Sequence, residues 1–155
     1  MDRTDEQILA VLQDDGRLTV TELAARVSLS VSPCLRRLRR LERDGVITGY
    51  RALVDAAAVG LGFEALVFVS LRQEDRDTVA AFERAVAAIT HVVSAQRLFG
   101  DPDYLLRVLT ADLAAYQQLY DERLVTLPGV AQLNSTLVMK HVVPERALPP
   151  GRAGR

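Results

Sequence analysis

Apolar positions in the first 45 residues recur at helical spacing in three short runs. Ile8, Leu9, Val11 and Leu12 follow Thr4-Asp-Glu-Gln7, which has the form of a capping box, and Asp14-Asp15-Gly16 closes the run. Thr19-Val-Thr-Glu22 is a second capping box, ahead of a short helix that buries Leu23, Ala24 and Val27. Ser28-Leu29-Ser30 then makes a tight turn into a third helix, which starts at Ser30 or Ser32 and stops at Gly45. Pro33 is tolerated in its first turn, where a missing N–H leaves nothing unpaired. Val46 to Val54, β-branched and aromatic around Gly49, is expected to form a short strand pair or wing.

The third helix has two opposed faces. Cys34, Leu38 and Leu41, with Leu35 beside them, form an apolar stripe for a core. Arg36, Arg40 and Arg43 form a second stripe, flanked by Arg37 and Arg39, so Leu35–Arg43 holds five arginines against one glutamate. A tight turn before a cationic third helix is the pattern of a helix-turn-helix, whose last helix lies in the major groove of double-stranded DNA. On that reading Arg36, Arg37 and Arg40 face the groove. Arg39 flanks them, and Ser30, Ser32 and Pro33 open the helix at the phosphates or base edges. A solvated arginine face, or a three-helix module that binds protein, are the blander alternatives.

After Asp55–Gly62, an Ala- and Gly-rich linker, a different rhythm begins. Phe63 to Leu71 reads as a strand and Asp77 to Ile89 as an amphipathic helix showing Val79, Phe82, Val86 and Ile89. His91 to Phe99 and Tyr104 to Thr110 read as strands around Gly100-Asp101-Pro102-Asp103. Asp112 to Leu124 is a helix, Leu127-Pro128-Gly129 a turn, and Val130 to Val143 a long final strand. The order βαββαβ is that of the ferredoxin-like plait. The expected fold is α+β: a winged helix-turn-helix over residues 1–54, a linker over 55–62, a ferredoxin-like domain over 63–143 and a mobile tail over 144–155. Leu66 and Phe68 make the first strand apolar on both sides, which calls for a cover from a second subunit.

Composition narrows the function. The chain has 155 residues and a net charge of −1, so the arginine cluster reflects segregation of charge and not a basic protein. Its N-terminus is too acidic and polar for a secretory signal, and no apolar run approaches a membrane span, which places the protein in the cytoplasm with no membrane partner. The single cysteine, Cys34, sits on the apolar stripe and reads as a buried, reduced thiol. His91 and His141 stand apart without metal-ligand spacing, and no nucleophile elbow or triad spacing is present. No metal, cofactor or catalytic residue is expected.

These motifs resemble the leucine-responsive regulatory protein/AsnC family of bacterial and archaeal transcription regulators. The matching residues are Asp5-x-x-Ile8-Leu9, Asp15-Gly16-Arg17, Glu22-Leu23-Ala24, and the run from Leu29-Ser30-x-Ser32 through Arg37, Leu41-Glu42 and Gly45-Val46-Ile47 to Gly49-Tyr50. Gly100-Asp101-Pro102-Asp103-Tyr104 and Leu127-Pro-Gly-Val130 extend the match into the second half. The resemblance implies a homodimer joined through its plaits, assembly into higher oligomers such as an octamer, and a small amino-acid-like effector bound between subunits near the Gly-Asp turn. In that role Asp101 or Asp103 would pair the effector's ammonium, and backbone N–H groups around Gly100 would take its carboxylate. Tyr104 belongs to the same turn, and Ser135 and Thr136 resemble the family's hydroxyl positions around the ligand. Read without the resemblance, Gly-Asp-Pro-Asp is equally the composition of a plain hairpin turn. Two other functions share the architecture: a nucleoid-architectural protein that wraps DNA with little sequence choice, and an enzyme resembling siroheme decarboxylase. The second would use plait histidines and arginines and would not need the arginine helix.

Overall fold

The computed structural model describes residues 1–149. The chain divides into two compact units, Met1–Leu53 together with the segment from Val142, and Val54–His141. In the first, α1 (Arg3–Asp14), α2 (Val20–Arg26) and α3 (Val31–Arg43) enclose a core of Ile8, Leu23, Ala24, Val27, Cys34 and Leu41. The capping box of α1 lies two residues earlier than Thr4–Gln7. Asp2 and Asp5 exchange backbone-to-carboxylate hydrogen bonds, both of 3.0 Å. The capping box of α2 is the expected Thr19–Glu22 pair. Between α2 and α3 the chain reverses through Ser28, a non-glycine residue with φ of 55°, and the Leu29 N–H bonds the Ala24 carbonyl at 2.9 Å.

The expected strand pair over Val46–Val54 does not form. Gly45 (φ +70°) turns the chain, the N–H groups of Val46 and Ile47 both bond the Leu41 carbonyl, and the segment continues without a ladder. Tyr50 holds it to α3 instead, donating its hydroxyl to Glu42 at 2.9 Å. The wing is therefore irregular. Residues 142–149 cluster with this same unit, with Arg51 paired to Glu145 at 3.1 Å and the Leu148 N–H on Gln13 at 2.7 Å.

The second unit is the expected plait: β1 (Phe63–Leu71), α4 (Arg76–Ala87), β2 (Val92–Arg97), β3 (Tyr104–Thr110), α5 (Leu113–Leu119) and β4 (Val130–Leu137). The sheet is antiparallel throughout, in the order β2-β3-β1-β4. Its core is formed by Ala65, Val67 and Val69 from β1 and Leu106 and Val108 from β3, against Phe82 and Val86 of α4 and Tyr116 of α5. Alternation along the strands sends Leu66, Phe68 and Leu105 to the other side, where each is only half-buried. The helix expected over Asp112–Leu124 is α-helical only to Leu119 and then widens into a π-turn at Tyr120–Leu124. The last strand ends at Leu137, after which one more in-register bond, from the Val138 N–H to the Glu64 carbonyl, closes the ladder near the start of β1, well short of Val143. No helix of the described residues is long and apolar enough to cross a membrane.

Candidate DNA interface and effector site

Helix α3 presents its arginines in two groups. Ser32, Arg36, Arg39 and Arg43 are exposed on the side opposite buried Cys34 and Leu41. Arg36 and Arg39 make no ion pair among the described residues, and Arg43 only a loose one with Asp44 at 3.6 Å. Ser30 is the N-cap of α3, yet its hydroxyl makes no capping bond, so that group and exposed Ser32 stay available at the helix start, with Pro33 half-buried behind them. Burial pushes the Cys34 thiol pKa up, consistent with a residue that packs.

Arg37 and Arg40 turn to the flank instead. Arg37 Nη1 donates to Asp2 Oδ2 at 2.7 Å and Asp5 Oδ1 at 2.9 Å, while Arg40 Nη2 donates to the second oxygen of Asp5. The Asp5 side chain is 0% exposed, and those of Arg37 and Arg40 are 27% and 43% exposed. Burial alone would raise the Asp5 pKa; the Asp2 N–H and the Arg37 guanidinium overcome it and hold the carboxyl below its usual range. Two of the arginines expected at the groove are thus paired with carboxylates at the start of α1, Asp5 and the N-cap Asp2.

At the second candidate site, the turn between β2 and β3 is tied to the end of β1. The Asp103 N–H bonds the Val69 carbonyl at 3.0 Å, Asp103 Oδ2 accepts from the Leu71 N–H at 2.6 Å, and Ser70 Oγ donates to Asp101 Oδ1 at 3.1 Å. Asp103 is thereby a structural tie, while Asp101 stays exposed. Gly100 has φ of +133°, and a Cβ there would meet no heavy atom within 4 Å, so backbone conformation and not crowding demands glycine. Tyr104 is buried, and its hydroxyl donates to Glu83 at 2.9 Å; burial, and then that carboxylate, push its pKa up to about 12.

Ser135 and Thr136 do not meet the turn within one chain. Ser135 lies opposite Val67 and its hydroxyl accepts from Tyr116, while Thr136 lies opposite Leu66 on the other face of the sheet. Ser135 lines a groove of about 680 Å³ with Tyr116, Tyr120, Asp121 and Leu133. A second groove of about 380 Å³ runs between α4 and β2 beside Tyr104, Glu83, Val86 and Arg97. Sequence reasoning missed both grooves and the acidic partners of α3. Asp5 sits in the motif Asp5-x-x-Ile8, but the arginines that it binds lie more than thirty positions away.

Residues 1–48 match the winged helix-turn-helix DNA-binding family model, and residues 64–148 match the Lrp/AsnC ligand binding domain. The chain belongs to the Lrp/AsnC family of DNA-binding transcriptional regulators. It is 42% identical over 150 residues to the Bkd operon transcriptional regulator of Pseudomonas aeruginosa, covering 97% of each chain. It is 39% identical over 142 residues to the leucine-responsive regulatory protein of Escherichia coli, covering 92% of this chain and 87% of that protein. Among solved structures it is similar to a Neisseria meningitidis transcriptional regulator in complex with L-Met, at 39% identity and a TM-score of 0.91 over 96% of each chain. An AsnC family regulator from Agrobacterium tumefaciens superposes with a TM-score of 0.90 at 35% identity, covering 96% of this chain and 97% of that one.

Proposed function

We propose that this regulator works as a homodimer in the cytoplasm, binds operator DNA through α3, and changes its DNA affinity or assembly when a small amino acid occupies the plait. The observation that carries the reading is a cationic helix joined in one chain to a sheet whose second face leaves Leu66, Phe68 and Leu105 half-uncovered. A second copy stacked on that face supplies the cover, and two linked DNA-binding units then gain affinity through effective concentration. Further assembly of dimers would bring β4 of one subunit to the Gly100–Tyr104 turn of another, uniting Ser135 and Thr136 with Asp101. The names of two relatives, one leucine-responsive and one bound to L-Met, favour an aliphatic or thioether amino acid as effector. A carboxylate at Asp101 is a suitable partner for its ammonium, since charge-assisted hydrogen bonds offset the desolvation of both groups.

The test is a thermal-shift screen of the full chain against the twenty amino acids, followed by DNA-binding isotherms with each one that stabilises the protein. The expected result is a selective upward shift for one or a few apolar amino acids, and a changed DNA affinity with the same compounds. Uniform absence of a shift, or shifts that leave DNA binding untouched, would overturn the effector reading.

A further inference from the structure

The two groups of arginine on α3 differ in what they can give to DNA. A phosphate contact gains much of its free energy from releasing condensed counterions, a contribution that is blind to sequence. Arg36 and Arg39, exposed and without ion pairs among the described residues, can make it. Arg37 and Arg40 already face carboxylates, and the one they share, Asp5, has no solvent contact. Moving either guanidinium to a phosphate would strip a buried anion of a partner that water cannot replace. The cluster of Asp2, Asp5, Arg37 and Arg40 is formally neutral, so it lies beside the DNA-facing side of α3 without adding to its attraction for the backbone.

We propose that Asp5, assisted by Asp2, sets how strongly α3 is drawn to the DNA backbone. It withdraws two of the five α3 arginines from phosphate binding, lowers affinity for DNA of any sequence, and leaves the contacts to Ser32, Arg36, Arg39 and Arg43. Because the backbone contribution is blind to sequence, it acts on selected and random duplexes alike and shows in absolute affinity and in salt dependence. The same clamp ties α3 to the N-terminus of α1 and so orients the exposed arginines.

The experiment measures binding of the full chain to a random-sequence duplex, and to the tightest duplex selected from a random pool, across a series of salt concentrations. Arg36→Gln and Arg39→Gln are each expected to flatten the slope of log K against log salt by about 0.9, or to lose affinity at a single base pair. Asp5→Asn frees Arg40 and leaves Arg37 with Asp2 alone. It is expected to steepen the slope on both duplexes by about one unit and to raise both affinities several-fold. Asp2→Asn, at a half-exposed position that leaves Asp5 in place, should move the slope the same way by less. The variant Asp2→Asn/Asp5→Asn/Arg37→Gln/Arg40→Gln replaces the neutral cluster with neutral amides and should keep the wild-type slope. If this quadruple variant flattens the slope by nearly two units, Arg37 and Arg40 bind phosphate and the proposal fails. It fails equally if folded Asp2→Asn and Asp5→Asn both retain the wild-type slope.

Discussion

Gly129, in the turn that launches β4, is held by two independent constraints, and a two-residue cycle separates them. Its φ of +73° is left-handed, which costs an alanine roughly 1 kcal/mol or slightly more. A methyl built there would also overlap the γ-methyl of Thr78 in the first turn of α4. Thr78 cannot swing aside freely, because its hydroxyl donates to Asp75 Oδ2 at 2.6 Å within the N-cap of α4. Breaking that bond removes about 1 kcal/mol of capping. Gly129→Ala should therefore destabilise the protein by about 2–3 kcal/mol. In a chain of this size that lowers the melting temperature by roughly 4–12 °C. Thr78→Ser removes the offending methyl and keeps the hydroxyl, so in its presence the cost of Gly129→Ala should fall to about 1 kcal/mol, a coupling of at least ~1 kcal/mol between the two positions. Urea unfolding of the four proteins, followed by circular dichroism, measures this. Equal costs of Gly129→Ala with Thr and Ser at position 78 would refute the overlap argument and leave only the backbone contribution.

Phe68→Glu places a charge on the half-covered face of the sheet and should convert the proposed dimer to a monomer in light scattering at micromolar concentration without unfolding the plait; an unchanged mass would remove that face as the interface. Asp101→Asn keeps shape and removes charge, so affinity for the screened amino acid should fall about tenfold or more, and isothermal titration showing wild-type affinity would place the ammonium elsewhere. The folded-state pKa values of Asp5 and Asp2 are lowered, so their stabilisation of the N-terminal unit is present above the ordinary carboxylate range and is lost as pH falls through the folded values. Thermal melts from neutral to acid pH should show this loss, and Asp5→Asn should make the dependence shallower. Tyr104 behaves in the opposite sense. With its folded pKa raised to about 12, its contribution is present below pH ~10 and lost as pH rises toward 12, and because Tyr50 is pushed up as far, ultraviolet titration should detect late-ionising tyrosines of which Tyr104→Phe removes one.

Elements defined by local pattern were legible in the sequence. The bounds of β1 and β3 follow from period-two alternation between clear breakers, and Thr19-x-x-Glu22 announces its own capping box. The start of α1 is ambiguous in sequence because Asp2-x-x-Asp5 and Thr4-x-x-Gln7 can both form a box, and the Asp5 carboxylate accepts from the N-cap N–H just as glutamate does. The irregular wing was hidden because Val46 and Ile47 have strand propensity, yet their N–H groups are consumed by the C-terminus of α3. At the site, helical spacing separates the apolar face of α3 from the charged one. It does not reveal that Arg37 and Arg40 lie toward α1, since the angle between two helices is set by packing of Ile8, Leu23, Cys34 and Leu41. Asp103 is similarly ambiguous in sequence: a turn carboxylate reads alike whatever it binds, and the bond from the Leu71 N–H to its Oδ2 is set by the approach of β1.

The most direct test of the account is reciprocal linkage between DNA and effector in the intact protein. Affinity for the selected duplex is measured by fluorescence anisotropy with and without a saturating amino acid from the thermal screen, and affinity for that amino acid by calorimetry with and without duplex. Coupling requires the two factors to be equal, and couplings of this kind fall at about 5–150-fold. The account predicts such a matched pair, with Asp101→Asn weakening the amino-acid affinity and Arg36→Gln the DNA affinity. A salt-dependent DNA complex whose affinity no amino acid alters would contradict it.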